Sequence, residues 1–201
     1  MSWPATTRYG LETAPDSLAL VQDFVNTIAA GVPPGADLLA DVPTAQDWLG
    51  GALAEWCRIR GISTDVVVLD ERDLGKLRSL RAELVQLIRA GSDDPAPSEH
   101  RQLAVSVTST MTLDDTGQVD VLPRGKGWRY VACVLLLEMR DAQLGDSWRR
   151  LKTCRNRHCS VAFFDRSRNS SRVWHDVATC GNLANLRSHR ERKRAEVDRT
   201  S

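Results

Sequence analysis

Three thiols and an imidazole are the residues of this chain whose types and spacing suit a defined chemical task. Cys154 and Cys159 are separated by four residues in CRNRHC, His175 and Cys180 by four in HDVATC, and fifteen residues lie between the two pairs. A tetrahedral zinc site needs such an arrangement, because each pair forms a knuckle and the intervening loop lets the knuckles converge. Three thiolates and one neutral imidazole would leave Zn(II) with a net charge of about −1, and the neighbouring arginines favour the thiolate form. Two other histidines compete for the fourth position. His158 abuts Cys159 and must point elsewhere if both flanking cysteines bind. His189 follows Cys180 by nine residues, about 13 Å along a continuous helix. His175 is therefore the expected fourth ligand.

A site filled by four protein ligands is structural, whereas a catalytic zinc keeps an open position and a nearby carboxylate base. The acids around these residues are Asp165, Asp176 and Glu191, and no His-Glu pairing of a metallohydrolase occurs. The chain has no G-x-S-x-G elbow and no phosphate-cradling glycine loop. The sequence is read as that of a non-enzyme.

Charge separates the same region from the rest. Between Arg149 and Arg194 there are thirteen Lys and Arg against three acids, a net of +10, while the whole chain of 201 residues carries only +1 and the remainder therefore −9. An acidic body and a basic, metal-pinned tail are expected, with boundaries at 1–145 and 146–201. Five cysteines fit thiols and metal in a reducing compartment better than disulfides. The start, MSWPATTRYG, is polar and proline-broken, unlike a secretory leader, and the longest apolar run, around 131–137, is too short to span a bilayer. A cytoplasmic protein without a membrane partner is expected.

The elements that must carry the tail read as mainly α with a small β-hairpin, an α+β class. Leu18, Val21, Val25 and Ile28 recur at helical spacing with Phe24 beside them, predicting an amphipathic helix that ends at Gly31. Asp23 and Asn26 lie on its flank, in surface or capping roles. A second helix is expected from a Thr44 cap to about Ile59, stopped by Gly61, with Gly50 and Gly51 weakening it. The third starts at an Asp70 cap and runs through Leu74, Leu77, Leu80, Leu84, Leu87 and Ile88 to Gly91. Its Arg72, Lys76, Arg78, Arg81 and Arg89 are read as a solvated face. A short helix over 98–104 and a hairpin pairing 105–113 with 119–122 across the turn at 114–117 follow. The helix from Trp128 to about Leu144 is apolar almost all round at Val131 to Leu137, as a central core helix is. Cys57 and Cys133, in LAEWCRI and VACVLLL, read as buried small hydrophobes.

Three stretches together resemble a known family. Cys154-x4-Cys159, the run Phe163-Phe164-Asp165-Arg166-Ser167-Arg168-Asn169-Ser170-Ser171-Arg172-Val173-Trp174, and Cys180-Gly181-Asn182 are similar to the CGNR zinc finger. Asp23-Phe24-Val25-Asn26-Thr27 resembles the signature near the start of the ABATE domain that usually precedes it. The resemblance implies a bacterial transcription regulator with a four-cysteine zinc site and DNA binding. Two departures stand out: His175 replaces the third cysteine, and Leu183 and Asn185 replace two basic residues after Cys-Gly-Asn. Arg187, Arg190 and Arg194 still fall on one helical face. They join Arg166, Arg168 and Arg172 as expected DNA contacts, with Lys193 a lesser one. The chain is thus expected to be a helical N-terminal domain that senses a small-molecule effector or forms a homodimer, followed by a zinc module ending in a basic helix. The competing expectation is a zinc-stabilised protein-interaction module without specific DNA binding.

Overall fold

The computed structural model describes residues 3–92, 105–156 and 158–182. Four helices build the body after a one-turn helix α1 (Pro4–Thr7): α2 (Leu18–Val25), α3 (Val42–Arg60), α4 (Glu71–Ser92) and α5 (Gly127–Leu144). A hairpin of β1 (Thr108–Leu113) and β2 (Val119–Arg124) joins α4 to α5, with Thr108 opposite Arg124 and Leu113 opposite Val119. Past a single 3-10 turn, Trp148–Arg150, comes a second antiparallel pair, β3 (Leu151–Thr153) and β4 (Ala162–Phe164). A π-helical turn, Val177–Gly181, ends the described chain. The predicted helix over 98–104 and the basic helix carrying Arg187, Arg190 and Arg194 lie outside the described residues. Among the described residues no helix is long and apolar enough to cross a membrane.

The core is gathered around α2, all eight residues of which are buried. α3 and α5 pack on it, and two tryptophans of α3 aim their indole N–H groups at buried carboxylates. Trp48 donates to Asp23 Oδ2 at 2.8 Å and Trp56 to Glu138 Oε1 at 2.7 Å. Ser17 Oγ also donates to Glu138, and Arg60 Nε lies 3.3 Å from it, so neither carboxylate is buried without donors.

Helix boundaries follow capping chemistry where the sequence signals it. α4 begins where Asp70 Oδ1 accepts from Asp73 N at 2.7 Å, as expected. α3 starts earlier than expected because Asp41, not Thr44, is the cap: Asp41 Oδ1 accepts from Thr44 N at 2.8 Å, and Pro43 occupies the first turn, where it needs no partner. Gly61 at φ 65° ends this helix in the left-handed conformation. α2 is shorter than expected, stopping at Val25. It is also buried on every side rather than amphipathic.

The solvated face expected on α4 needs correction at three positions, Arg78, Arg81 and Arg89, the last half-buried and bonded to Ser160 Oγ. Arg81 is 6% exposed, and its guanidinium forms a two-pronged pair with Asp37 at 2.6 and 2.8 Å while reaching Thr27 Oγ1. Arg78 donates to the carbonyls of Leu39 and Ala40. Arg78 and Arg81 staple the loop before α3 onto α4. Cys133 is buried and Cys57 half-buried.

Candidate metal centre

The first knuckle grows out of the β3–β4 pair. Cys154 N donates to Val161 O at 2.8 Å, extending the ladder by a step, and Cys159 N closes a turn onto Asn156 O at 2.9 Å. The second knuckle is shaped by Asp176, whose carboxylate accepts from Ala178 N at 2.7 Å and from Thr179 Oγ1 at 3.0 Å. Cys180 N returns to Asp176 O at 3.0 Å. Two bonds tie the knuckles together: Arg155 N to Val173 O at 2.9 Å, and Asn156 Nδ2 to Cys180 Sγ at 3.3 Å.

The result is a buried cluster of Cys154, Cys159, His175 and Cys180 whose ligand atoms all lie within 4.8 Å of one another. Cys159 Sγ and His175 Nδ1 are 3.3 Å apart. Bond lengths of about 2.3 Å to sulfur and 2.0 Å to nitrogen place tetrahedral ligand atoms about 3.5 Å from one another, so the donor set and spacing fit one zinc ion. His158, by contrast, is exposed, as the sequence predicts. The thiols are unequal. A hydrogen bond from Cys159 holds the Cys154 thiol well below the usual range, whereas the adjacent Cys154 sulfur holds Cys159 far above it. Burial pushes Cys180 up. Zinc binds cysteine as the thiolate, so metal binding at these residues is coupled to loss of thiol protons.

Trp174 packs, with Tyr9, Leu11 and Ile28, against a buried cluster formed by Ala30, Val161 and the three cysteines. A side chain at Gly181 would meet Trp174 Cδ1 and Val177 Cγ1 at 3.2 Å, so glycine in the Cys-Gly-Asn turn lets the indole and Val177 pack closely over it. Arg172 donates through Nη2 to the carbonyl of His175 and through Nε to that of Trp174 at 2.8 Å. The guanidinium thereby fixes the backbone beside the imidazole.

The arginines singled out by sequence do not share one situation. Arg166 pairs with Glu12 at 3.0 Å, donates to Thr13 O at 2.7 Å and lies over the Phe164 ring. Arg172 is engaged as described and sits 5.2 Å from the Phe163 centroid. Arg168 is exposed. Arg187, Arg190, Arg194 and Lys193 lie outside the described residues.

Sequence reading missed the residues that hold the cluster to the body. Asn26 pairs with Ala162 in both directions, Nδ2 to the carbonyl at 2.9 Å and the amide N–H to Oδ1 at 2.8 Å, as a strand neighbour would. Gly31 N donates to Cys159 O at 3.0 Å, and Arg89 Nη2 reaches Ser160 Oγ at 3.1 Å. The only signal for Asn26 was its place in the Asp23-to-Thr27 signature. Asp165 carried none beyond the motif and Lys152 none beyond the charge of the segment, although their ion pair of 2.8 Å anchors the loop between the knuckles.

Comparison with family models identifies the two regions separately. Residues 18–142 match the ABATE family, described as a "putative stress-induced transcription regulator". Residues 150–193 match the CGNR zinc finger. A comparison with curated proteins gives no match. The first match alone spans more than half of the 201 residues, and the second contains all four clustered ligands, so the chain belongs to the ABATE family and carries a CGNR zinc finger at its C-terminal end.

Proposed function

We propose that the protein is a DNA-binding transcription regulator in which Cys154, Cys159, His175 and Cys180 hold a structural zinc ion. In this reading a helical body, 1–145, supports a zinc-held segment, 146–201, whose cations contact nucleic acid. The observation that carries the reading is the buried convergence of four ligand atoms in a segment whose own charge is strongly positive. Zinc would supply a cross-link that so short a segment, with strands of three residues, cannot replace by burying apolar surface. The imidazole in place of a fourth thiolate preserves the ligand number. Of the six arginines read from the sequence, Arg168, Arg187, Arg190 and Arg194 are the candidate contacts, Arg166 and Arg172 being engaged within the protein, and the body is where an effector or a second copy would bind.

Phosphate neutralisation releases counterions, so affinity for duplex DNA must fall steeply as salt rises. Fluorescence anisotropy of labelled duplex with the zinc-loaded protein, titrated at two salt concentrations, tests this. Binding that weakens by at least tenfold between about 50 and 200 mM salt is expected. Absence of binding at the lower salt would overturn the reading in favour of a protein-interaction module.

A further inference from the structure

The loop 165–172 between the two knuckles is held from beneath with unusual thoroughness. The Asp165 carboxylate, wholly buried, accepts from Lys152 Nζ at 2.8 Å, Ser167 N at 2.9 Å and Arg172 N at 2.8 Å. Lys152 Nζ also donates to the carbonyls of Ser170 and Arg172. Arg150 Nη1 donates to those of Asp165 and Ser167, each at 2.9 Å. Four backbone carbonyls and a carboxylate are thus fixed by two cations around β3. Such a loop enters a complex already ordered, which removes an entropic cost from binding, and exposed loops fixed on a rigid support are where contacts are made.

The side chains divide by direction. Arg166 and Arg172 are turned back onto Glu12, Thr13 and the Trp174 and His175 carbonyls. Arg168, Asn169 and Ser171 are exposed, and their side chains have no hydrogen bond or ion pair with the described residues. Guanidinium, amide and hydroxyl are the donors that proteins turn towards phosphate oxygens. The nearby aromatic residues Phe163, Phe164 and Trp174 are packed against the protein, which leaves the tip no ring on which to stack an unpaired base.

Resting on the DNA-binding reading above, we propose that this loop meets the phosphate backbone of duplex DNA through Arg168, Asn169 and Ser171, while Arg166 and Arg172 serve the loop's own conformation. The test uses the full zinc-loaded chain, labelled duplex DNA, and affinity measured as a function of salt. Arg168→Ala is expected to lower affinity about fivefold to tenfold and to reduce the salt slope by about one. Arg168→Lys restores the slope, and the double variant Asn169→Ala/Ser171→Ala weakens binding with the slope intact. Arg58→Ala, an exposed arginine of the body paired with Glu55, changes neither. Zinc content equal to wild type establishes that the variants are folded. Wild-type protein that fails to bind at low salt would sink the DNA-binding reading and this proposal together. Wild-type binding that Arg168→Ala leaves unchanged in affinity and slope would overturn the loop assignment alone. Tighter binding to RNA or single-stranded DNA than to the duplex would overturn the choice of ligand.

Discussion

Asp23 is enclosed completely, accepting from Thr6 N at 2.7 Å and Trp48 Nε1 at 2.8 Å, so that one carboxylate joins α1, α2 and α3. Burial raises its pKa to about 6, against the lowering effect of those two donors and of Arg8. The folded state then holds the proton more tightly than an unfolded chain with an ordinary value near 3.9. The sign follows: Asp23 is most favourable below about pH 4, and stability is lost as pH rises through 6. A shift of roughly two units corresponds to about 3 kcal/mol. Asp23→Asn cannot ionise and keeps one acceptor for two donors, so the variant is the less stable protein at pH 4 and the gap narrows by pH 7. Urea unfolding of both proteins across that range, read as their difference so that acid loss of metal cancels, checks this; a difference that does not change with pH contradicts it. At this scale the sequence was informative where chemistry depends on spacing along the chain. Four ligands in two close pairs announce themselves. Asp23 does not, because its second donor sits twenty-five positions away on another helix.

Helices were legible as elements because apolar periodicity and caps are local: Asp70 and Gly61 mark their ends in the sequence as they do in the structure. α2 read as amphipathic because Asp23 and Asn26 look like a wet flank. In the molecule that flank is covered, by Trp48 on one side and by Ala162 of β4 on the other. The strands β3 and β4 escaped prediction altogether, since three residues are too few to show a period of two. Asn26 compensates for that shortness by supplying a donor and an acceptor to Ala162 from outside the sheet. Asn26→Ala strips the buried Ala162 N–H of its bond and leaves the carbonyl only the 3.4 Å contact from Gln22, a loss on the order of 2–4 kcal/mol. Thermal unfolding should fall by several degrees, and zinc should be given up to a competing chelator faster than from wild type. Asn26→Asp, which keeps the acceptor, should lie between the two. Unchanged chelator kinetics would show that the bond does not brace the finger.

Across the whole molecule, the body and the finger share apolar surface. Leu151, Ala162 and Phe164 belong to the same buried cluster as α2, α3, α4 and α5, while Ala30 and Ile28 from the body pack on the cysteines. A metal ion bound at the cysteines should therefore stabilise helices that never touch it. Chelation is expected to lower the unfolding midpoint of the body, followed by far-ultraviolet circular dichroism, rather than to release the finger alone; two separate transitions with an unshifted body would contradict the shared core. Division of the chain by charge pointed to an acidic body and a basic tail but not to the bonds between them, because charge reports on solvent-facing residues and those bonds are buried. The most direct measurement is anisotropy of labelled duplex DNA with the zinc-loaded protein, repeated after chelation and again after zinc is restored, at a temperature where circular dichroism shows the helices intact throughout. DNA affinity that disappears with the metal and returns with it is the predicted result. Affinity that survives complete removal of zinc would contradict a metal-held DNA contact surface.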